Sequence, residues 1–425
     1  MIAWLLISFF VLLALGVPIA MALGLSAMGG IIFLHGAGTV TIAQRMFEGM
    51  NSFALLAIPL YTFAGFTMSK GGISKRLMDF CYSIVGHIYG GLAHVNVLSS
   101  MIFAGISGSA VADTAGVSGM FMPEMIRKGY SKKLTVAVTA ISSTIGIIIP
   151  PSIPMVVIAG ICGISTGKLF LGGIIPGVFC GLAQMVVAYF ISKKEGVQKE
   201  EGHFEIKSVW EGFLESWPAL LMPIIIVGTI TMGIVSPTEA GAIAVVYGLI
   251  AGGLIYRELT WEDIKFAFLE TAKTSGKIFV VIGSAKLYTV LLTTAGFDKW
   301  VANTMLGFTT NPTIILIMIL LIFFIVTMFM ESIATLTLFM PILYPIATGV
   351  GIDPIVMSVL ITVVIGIGLV TPPVGMCIYV ACDLQDISVG EVFPTLIPFI
   401  VATFICIALF IAFPQLVLLP TYLMR

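Results

Sequence analysis

The chain has 425 residues, of which 59% are hydrophobic and 10% charged, with a formal net charge of −1 and a mean hydropathy of +1.14. Apolar stretches long enough to cross a bilayer recur from end to end, which excludes an ordinary water-soluble domain, and short scattered Lys and Arg clusters give no footing to a nucleic-acid partner. Runs this continuous suit helices, which pair their backbone groups internally, rather than the alternating pattern of a barrel, so the expected class is an all-α polytopic membrane protein.

The first apolar run reaches about Leu34 with no basic leader and no small-residue cleavage site, so it is expected to stay in the membrane, as one tilted helix or as two. Ile42, Met46, Met50 and Phe53 follow at helical spacing, which suits a helix along the membrane surface or a loop helix packed on the bundle. From Gly105, G-I-S-G-S-A-V-A-D-T-A-G-V-S-G-M-F-M-P sets glycines and hydroxyls between apolar flanks too interrupted for comfortable crossing, the pattern of a re-entrant hairpin. Ser131 reads as the N-cap of the next helix.

That helix runs into I-I-I-P-P-S-I-P at 147–154. An interior proline removes an amide and costs a helix about 3 kcal/mol, and the pair Pro150–Pro151 is expected to free the carbonyls of Gly146 and Ile147. Such a break in lipid is expected only where it lines a cavity or binds something. Free carbonyls are hard ligands that suit Na⁺, while the N-terminus of the following half-helix favours an anion.

Lys193 to Lys207, K-K-E-G-V-Q-K-E-E-G-H-F-E-I-K, mixes charge with glycine and reads as a solvated linker. The expected organisation is a first repeat over 1–192, a polar linker over 193–216, and a second repeat with a C-terminal tail over 217–425. In the second half T-W-E-D opens at Thr260 like a capping box, with Trp261, Ile264, Phe268 and Ala272 at helical spacing behind it. Lys286 lies far inside an apolar run, where it either contacts an anionic substrate or snorkels to the interface. A second hairpin pattern, T-M-F-M-E-S-I-A-T-L-T-L-F-M-P, starts at Thr327, and Asp353 followed by Pro354 reads as an N-cap with proline at the first helical position. L-V-T-P-P-V-G-M at 369–376 then repeats the break, with Pro372 and Pro373 expected to free the carbonyls of Gly368 and Leu369.

The halves align. Asp113, Thr114, Phe121, Met122 and Pro123 match Glu331, Ser332, Phe339, Met340 and Pro341 at a separation of 218, and Pro150, Pro151, Ile175 and Pro176 match Pro372, Pro373, Ile397 and Pro398 at 222. The change of four is expected in the connection after the first hairpin, and Gly72 and Lys75 match Gly296 and Lys299 at 224. Asp113 and Glu331 either hold their hairpins together or contact ion or substrate directly; with Lys286 and Ser152 they are the candidate substrate contacts. The six cysteines suit apolar packing, the four histidines (His35, His87, His94, His203) form no metal cluster, and no nucleophile–base pair suggests an enzyme.

At these motifs, from G-V-P-I-A through G-S-A-V-A-D-T-A and I-I-P-P-S to T-P-P-V-G, the chain resembles the large membrane subunit of tripartite ATP-independent periplasmic (TRAP) transporters, the DctM-like family. The resemblance implies two inverted repeats, each with a re-entrant hairpin and a discontinuous helix, and an elevator-type importer of organic acids driven by two or more Na⁺ ions. It also implies a bacterial inner-membrane location and two partner chains, a small four-helix membrane subunit and a soluble periplasmic binding protein. Carried onto this sequence, one Na⁺ site would join Ser107, Ser109 and Thr114 to Gly146, Ile148 and Pro150. The other would join Thr327, Ser332 and Thr335 to Gly366, Gly368, Val370 and Pro372. A self-sufficient sodium-coupled dicarboxylate or anion symporter of related architecture is the competing reading.

Overall fold

The computed structural model describes residues 1–35, 39–197 and 205–424, and among them every regular element is helical. The first half runs α1 (Ile2–Ala14), α2 (Ile19–Gly30), α3 (Thr39–Met50), α4 (Ala57–Lys70), α5 (Ile73–Val85), α6 (Gly91–Ser107), α7 (Ala110–Arg127), α8 (Lys132–Ser143), α9 (Ile153–Cys162) and α10 (Thr166–Lys194). The second runs α11 (Ile206–Thr231), α12 (Pro237–Ile250), α13 (Trp261–Thr294), α14 (Phe297–Phe308), α15 (Pro312–Thr327), α16 (Ser332–Gly349), α17 (Pro354–Gly368), α18 (Met376–Asp383) and α19 (Val389–Ala412). Among the described residues, seven helices are long and apolar enough to cross a membrane.

The first apolar run is two helices, because Gly16 takes φ +80° and Pro18 follows it, a combination that ends α1 and restarts the chain as α2. The expected linker is shorter than its composition suggested. α10 extends to Lys194 and α11 opens at Ile206, so 206–216 are helical, while His203 and residues 198–204 lie outside the described residues. Those first turns of α11 are held against α5, where Phe213 meets Phe80 and the Ser216 hydroxyl donates to the Arg76 carbonyl at 2.8 Å.

Helix boundaries correspond between the halves. α7 and α16 have the same length, 18 residues, and start 222 apart, as do the capping residues Ser131 and Asp353. This corrects the register read from the hairpins. At 222 the counterpart of Glu331 is Ser109, both being N-caps, and Asp113 corresponds to Thr335. The left-handed glycines Gly72 and Gly296 open α5 and α14, and α2 and α12 both end in a short π-helical turn, Ile31–His35 and Ala251–Ile255.

One stretch differs between the halves. In the first, α3 and α4 are separated by Asn51, Ser52 and a 3₁₀ turn, Phe53–Leu56; in the second, the corresponding residues form the single 34-residue α13. The expected surface helix at Thr260 is therefore the first part of a long one, and its capping box is present, with the Thr260 amide donating to Asp263 and the Asp263 amide to the Thr260 hydroxyl. Trp261 and Phe268 are exposed, and the stripe that packs inward is Ala267, Thr271, Ser275, Ile278 and Ile282.

The main core is centred on the interrupted helices. Every residue of α8 from Leu134 to Ser143 and of α17 from Ile355 to Gly368 is buried, the all-round burial expected of a helix that is not amphipathic. A smaller core forms where α1, α2 and the second part of α13 meet Met330, Ala334, Leu338 and Ile342, residues of α16 and its approach.

Candidate functional site

Each half brings a helical hairpin to the interruption in its own broken helix. In the first, α6 ends at Gly108, whose φ is +66° and whose missing side chain lets the Pro151 carbonyl oxygen come within 2.7 Å of the place a Cβ would occupy. The Ile153 amide, just past the prolines, donates to the Gly108 carbonyl at 3.2 Å. In the second, the Val374 amide donates to the Met328 carbonyl at 3.0 Å. Both proline pairs, Pro150–Pro151 and Pro372–Pro373, contain a cis bond.

The carbonyls expected to be free are mostly taken. Ser152 donates its hydroxyl to the Ile147 carbonyl at 2.5 Å and accepts the Met155 amide at 3.3 Å, so this candidate substrate contact serves as the N-cap of α9. In the second half the Thr371 amide reaches the Gly368 carbonyl at 3.1 Å, and the Cys377 amide reaches across the gap to the Leu369 carbonyl at 2.9 Å. The breaks therefore leave fewer bare oxygens than proline counting alone indicates. Among the described residues no donor meets the Gly146 carbonyl.

The two acids play different parts. Glu331 is the N-cap of α16: Oε2 accepts the Ile333 and Ala334 amides at 3.1 and 3.3 Å, and Oε1 accepts the Ser332 hydroxyl at 3.1 Å. Asp113 sits inside the first turn of α7, 2% exposed; Oδ1 accepts the Ser107 hydroxyl, and Oδ2 is buried with no hydrogen-bond partner. Oδ2 faces Gly146 so closely that a methyl there would overlap it. A buried carboxylate oxygen without a donor is expensive unless something compensates it, and here it points at the 3₁₀ turn Thr144–Ile147 beside the prolines. Around it, the Ser107 hydroxyl bonds Oδ1, Gly146 lies directly against Oδ2, and Thr114, buried, is the next residue of α7. This donor set suits a small hard cation.

The second half also contributes to this place. The Cys377 thiol of α18 touches Thr114, and Gly366 of α17 packs on Thr144. In the second hairpin Thr327 lies against Gly368 at the end of α17, while Ser332 and Thr335 are buried in the first turn of α16. Their hydroxyls donate to Phe323, Glu331 Oε1 and the Glu331 carbonyl, respectively. Ser109 caps α7, and Ile148, Pro150 and Val370 are buried beside the breaks. Lys286 lies elsewhere, packed on Gly49 of α3 near Glu48.

Sequence reading missed a set of fully buried polar side chains behind the first site: Asn96, Ser100, Thr139, Ser142 and Gln184. Their signal was available, since all lie in apolar helices at helical spacing.

This is a helical membrane protein in which two helical hairpins meet two broken helices around buried oxygen-bearing side chains. The chain belongs to the family of the tripartite ATP-independent periplasmic transporter, DctM component, which matches residues 6–416. It is 36% identical to the sialic acid TRAP transporter large permease protein SiaM of Vibrio cholerae, over 96% of this chain and 95% of that one. It is 33% identical to the C4-dicarboxylate TRAP transporter large permease protein DctM of Pseudomonas aeruginosa, over 95% and 94%. The isethionate TRAP transporter permease protein DctMQ of Oleidesulfovibrio alaskensis is 37% identical over 92% of this chain, which spans 62% of that longer protein. Among solved structures, the YdaH transporter of Alcanivorax borkumensis has a similar fold, with TM-score 0.61 over 88% of each chain at 12% identity. The chain is thus a transporter permease of the inner membrane and not an enzyme.

Proposed function

We propose that this chain is the translocating subunit of a secondary importer of organic acids, coupled to Na⁺ and fed by a soluble periplasmic binding protein, with a small four-helix membrane subunit as its other partner. The named substrates of its relatives, sialic acid, C4-dicarboxylate and isethionate, are all anions. The observation that carries the coupling is the Asp113 carboxylate, whose Oδ2 is buried and unpartnered opposite Gly146. Na⁺ supplies the missing positive charge there, with Ser107, Thr114 and the Gly146 carbonyl as further oxygen ligands. A second ion uses Thr327, Ser332 and Thr335 with carbonyls at the end of α17. Each ion draws a hairpin onto its broken helix, and the positive N-terminal ends of α9 and α18 favour the substrate carboxylate.

In this reading the two halves are inverted repeats, the hairpins are re-entrant, and hairpins and broken helices travel together across the membrane as an elevator. The test is uptake of a panel of labelled organic acids into proteoliposomes, with and without the two partner proteins and with and without an inward Na⁺ gradient. Uptake that requires all three proteins and the gradient is the expected result. Uptake by this chain alone would make it a stand-alone symporter, and flux indifferent to Na⁺ would remove the coupling.

A further inference from the structure

The buried polar side chains behind the first site form one directed chain. Ser100 of α6 donates to Ser142 of α8 at 3.0 Å, Ser142 is shared between Asn96 Oδ1 at 3.1 Å and the Thr139 carbonyl of its own helix at 3.2 Å, Asn96 Nδ2 donates to Thr139 at 2.7 Å, and Thr139 to the Thr135 carbonyl at 2.8 Å. Three of these bonds cross between α6 and α8. Gln184 of α10 adds a bond to the Ile141 carbonyl at 3.4 Å, an oxygen that also accepts the Thr144 hydroxyl at 2.7 Å. All of these side chains are at most 2% exposed.

Their place along the helices matters more than their number. α6 ends in Ser107, which donates to Asp113; Ser142 is four residues ahead of Gly146, and Thr144 begins the 3₁₀ turn that holds it. The chain thus fastens the helix that delivers Ser107 to the helix that delivers Gly146, within about three turns of the ligand atoms. The second half packs the equivalent arms, α15 and α17, differently. From Ile314 to Val326 α15 carries no polar side chain, and the Ser358 and Thr362 hydroxyls of α17 donate within their own helix. Among the described residues no side-chain hydrogen bond joins α15 to α17.

We propose that Asn96, Ser100, Ser142 and Gln184 are positioning residues that pre-organise the first cation site, a set of side-chain ties that α15 and α17 of the second half lack among the described residues. The proposal rests on the Na⁺ reading above. Interhelical hydrogen bonds in membranes are directional even though each is modest, so they fix the rotation and depth of α6 against α8 where apolar packing alone leaves sliding open. Misplaced by an ångström, Ser107 and Gly146 no longer converge on one ion.

The test is a Na⁺ titration of thermal unfolding in detergent at constant ionic strength with K⁺, run beside Na⁺-dependent uptake in the full three-protein system. Asn96→Leu and Ser142→Ala are compared with Ser358→Ala and Thr362→Ala, which delete buried hydroxyls that make no interhelical bond. The lattice variants are expected to raise the half-saturating Na⁺ concentration about threefold for each interhelical bond removed, with the maximal uptake rate near wild type. The α17 variants are expected to titrate like wild type. Ser100→Ala, which removes one oxygen, keeps the comparison open if Asn96→Leu does not fold. Lattice variants that melt earlier but keep the wild-type Na⁺ midpoint would show that the lattice is only structural glue and overturn the proposal, as would an equal shift in the α17 variants. A wild-type protein whose melting ignores Na⁺ would instead remove the coupling on which the proposal stands.

Discussion

Asp113 and Glu331 show how two acids in matching motifs acquire different work. The Glu331 oxygens are spent on two amides and a hydroxyl, which is the bonding of a helix cap. One Asp113 oxygen is left over and buried. Asp113→Asn is therefore expected to raise the half-saturating Na⁺ concentration about tenfold, equivalent to about 1.4 kcal/mol, measured in the same thermal titration. An unchanged midpoint would place the ion elsewhere. Glu331→Ala is expected to lower stability by about 1 kcal/mol through loss of the cap, seen as an earlier melting transition in both Na⁺ and K⁺. A shift that appeared only in Na⁺ would return Glu331 to the role of ligand.

At the scale of elements, the hairpin and broken helix of each half were legible because their signals are local. Ser131 and Asp353 cap α8 and α17 as expected, the first accepting the Leu134 amide at 3.1 Å and the second the Ile355 amide at 2.8 Å, and proline pairs interrupt a helix wherever they stand. The register of the hairpins was not legible. Matching by residue identity paired Phe-Met-Pro at 121–123 with Phe-Met-Pro at 339–341, whereas the fold pairs Pro123 with Pro345, because helix length and caps fix the alignment. Nor could the fate of the carbonyls be read, since the donor to Leu369 is the Cys377 amide across a gap whose geometry only the folded chain defines. Gly108 joins the two elements by being bare. Gly108→Ala is expected to cost about 1–2 kcal/mol for the left-handed conformation, with a further loss from contact with Pro151, and uptake should fall with stability. Normal melting and normal uptake in that variant would mean the tip relaxes freely.

Across the whole molecule the two halves share helix boundaries but hold their hairpins differently. The first half ties its hairpin to α8 with side-chain hydrogen bonds and divides α3 from α4; among the described residues the second has no side-chain bond between α15 and α17, and it runs α13 unbroken. The polar residues of the first contrast stand in the sequence, but which of them bond across helices, and whether Asn51 and Ser52 divide a helix, only the folded chain defines.

The unbroken helix has a consequence for the surrounding lipid. At 34 residues α13 is about 51 Å long, against a hydrocarbon slab of about 30 Å, so it has to lean or protrude. Its charges are gathered at one end, from Glu262 through Lys265, Glu270 and Lys273 to Lys277, and the rest is uncharged save Lys286. A rigid rod graded in this way acts as a depth gauge: it seats itself where the last charge meets the headgroups, and a bilayer of different thickness changes its lean. Reconstitution in short- and long-chain lipids is therefore expected to alter turnover even where Na⁺ affinity stays constant.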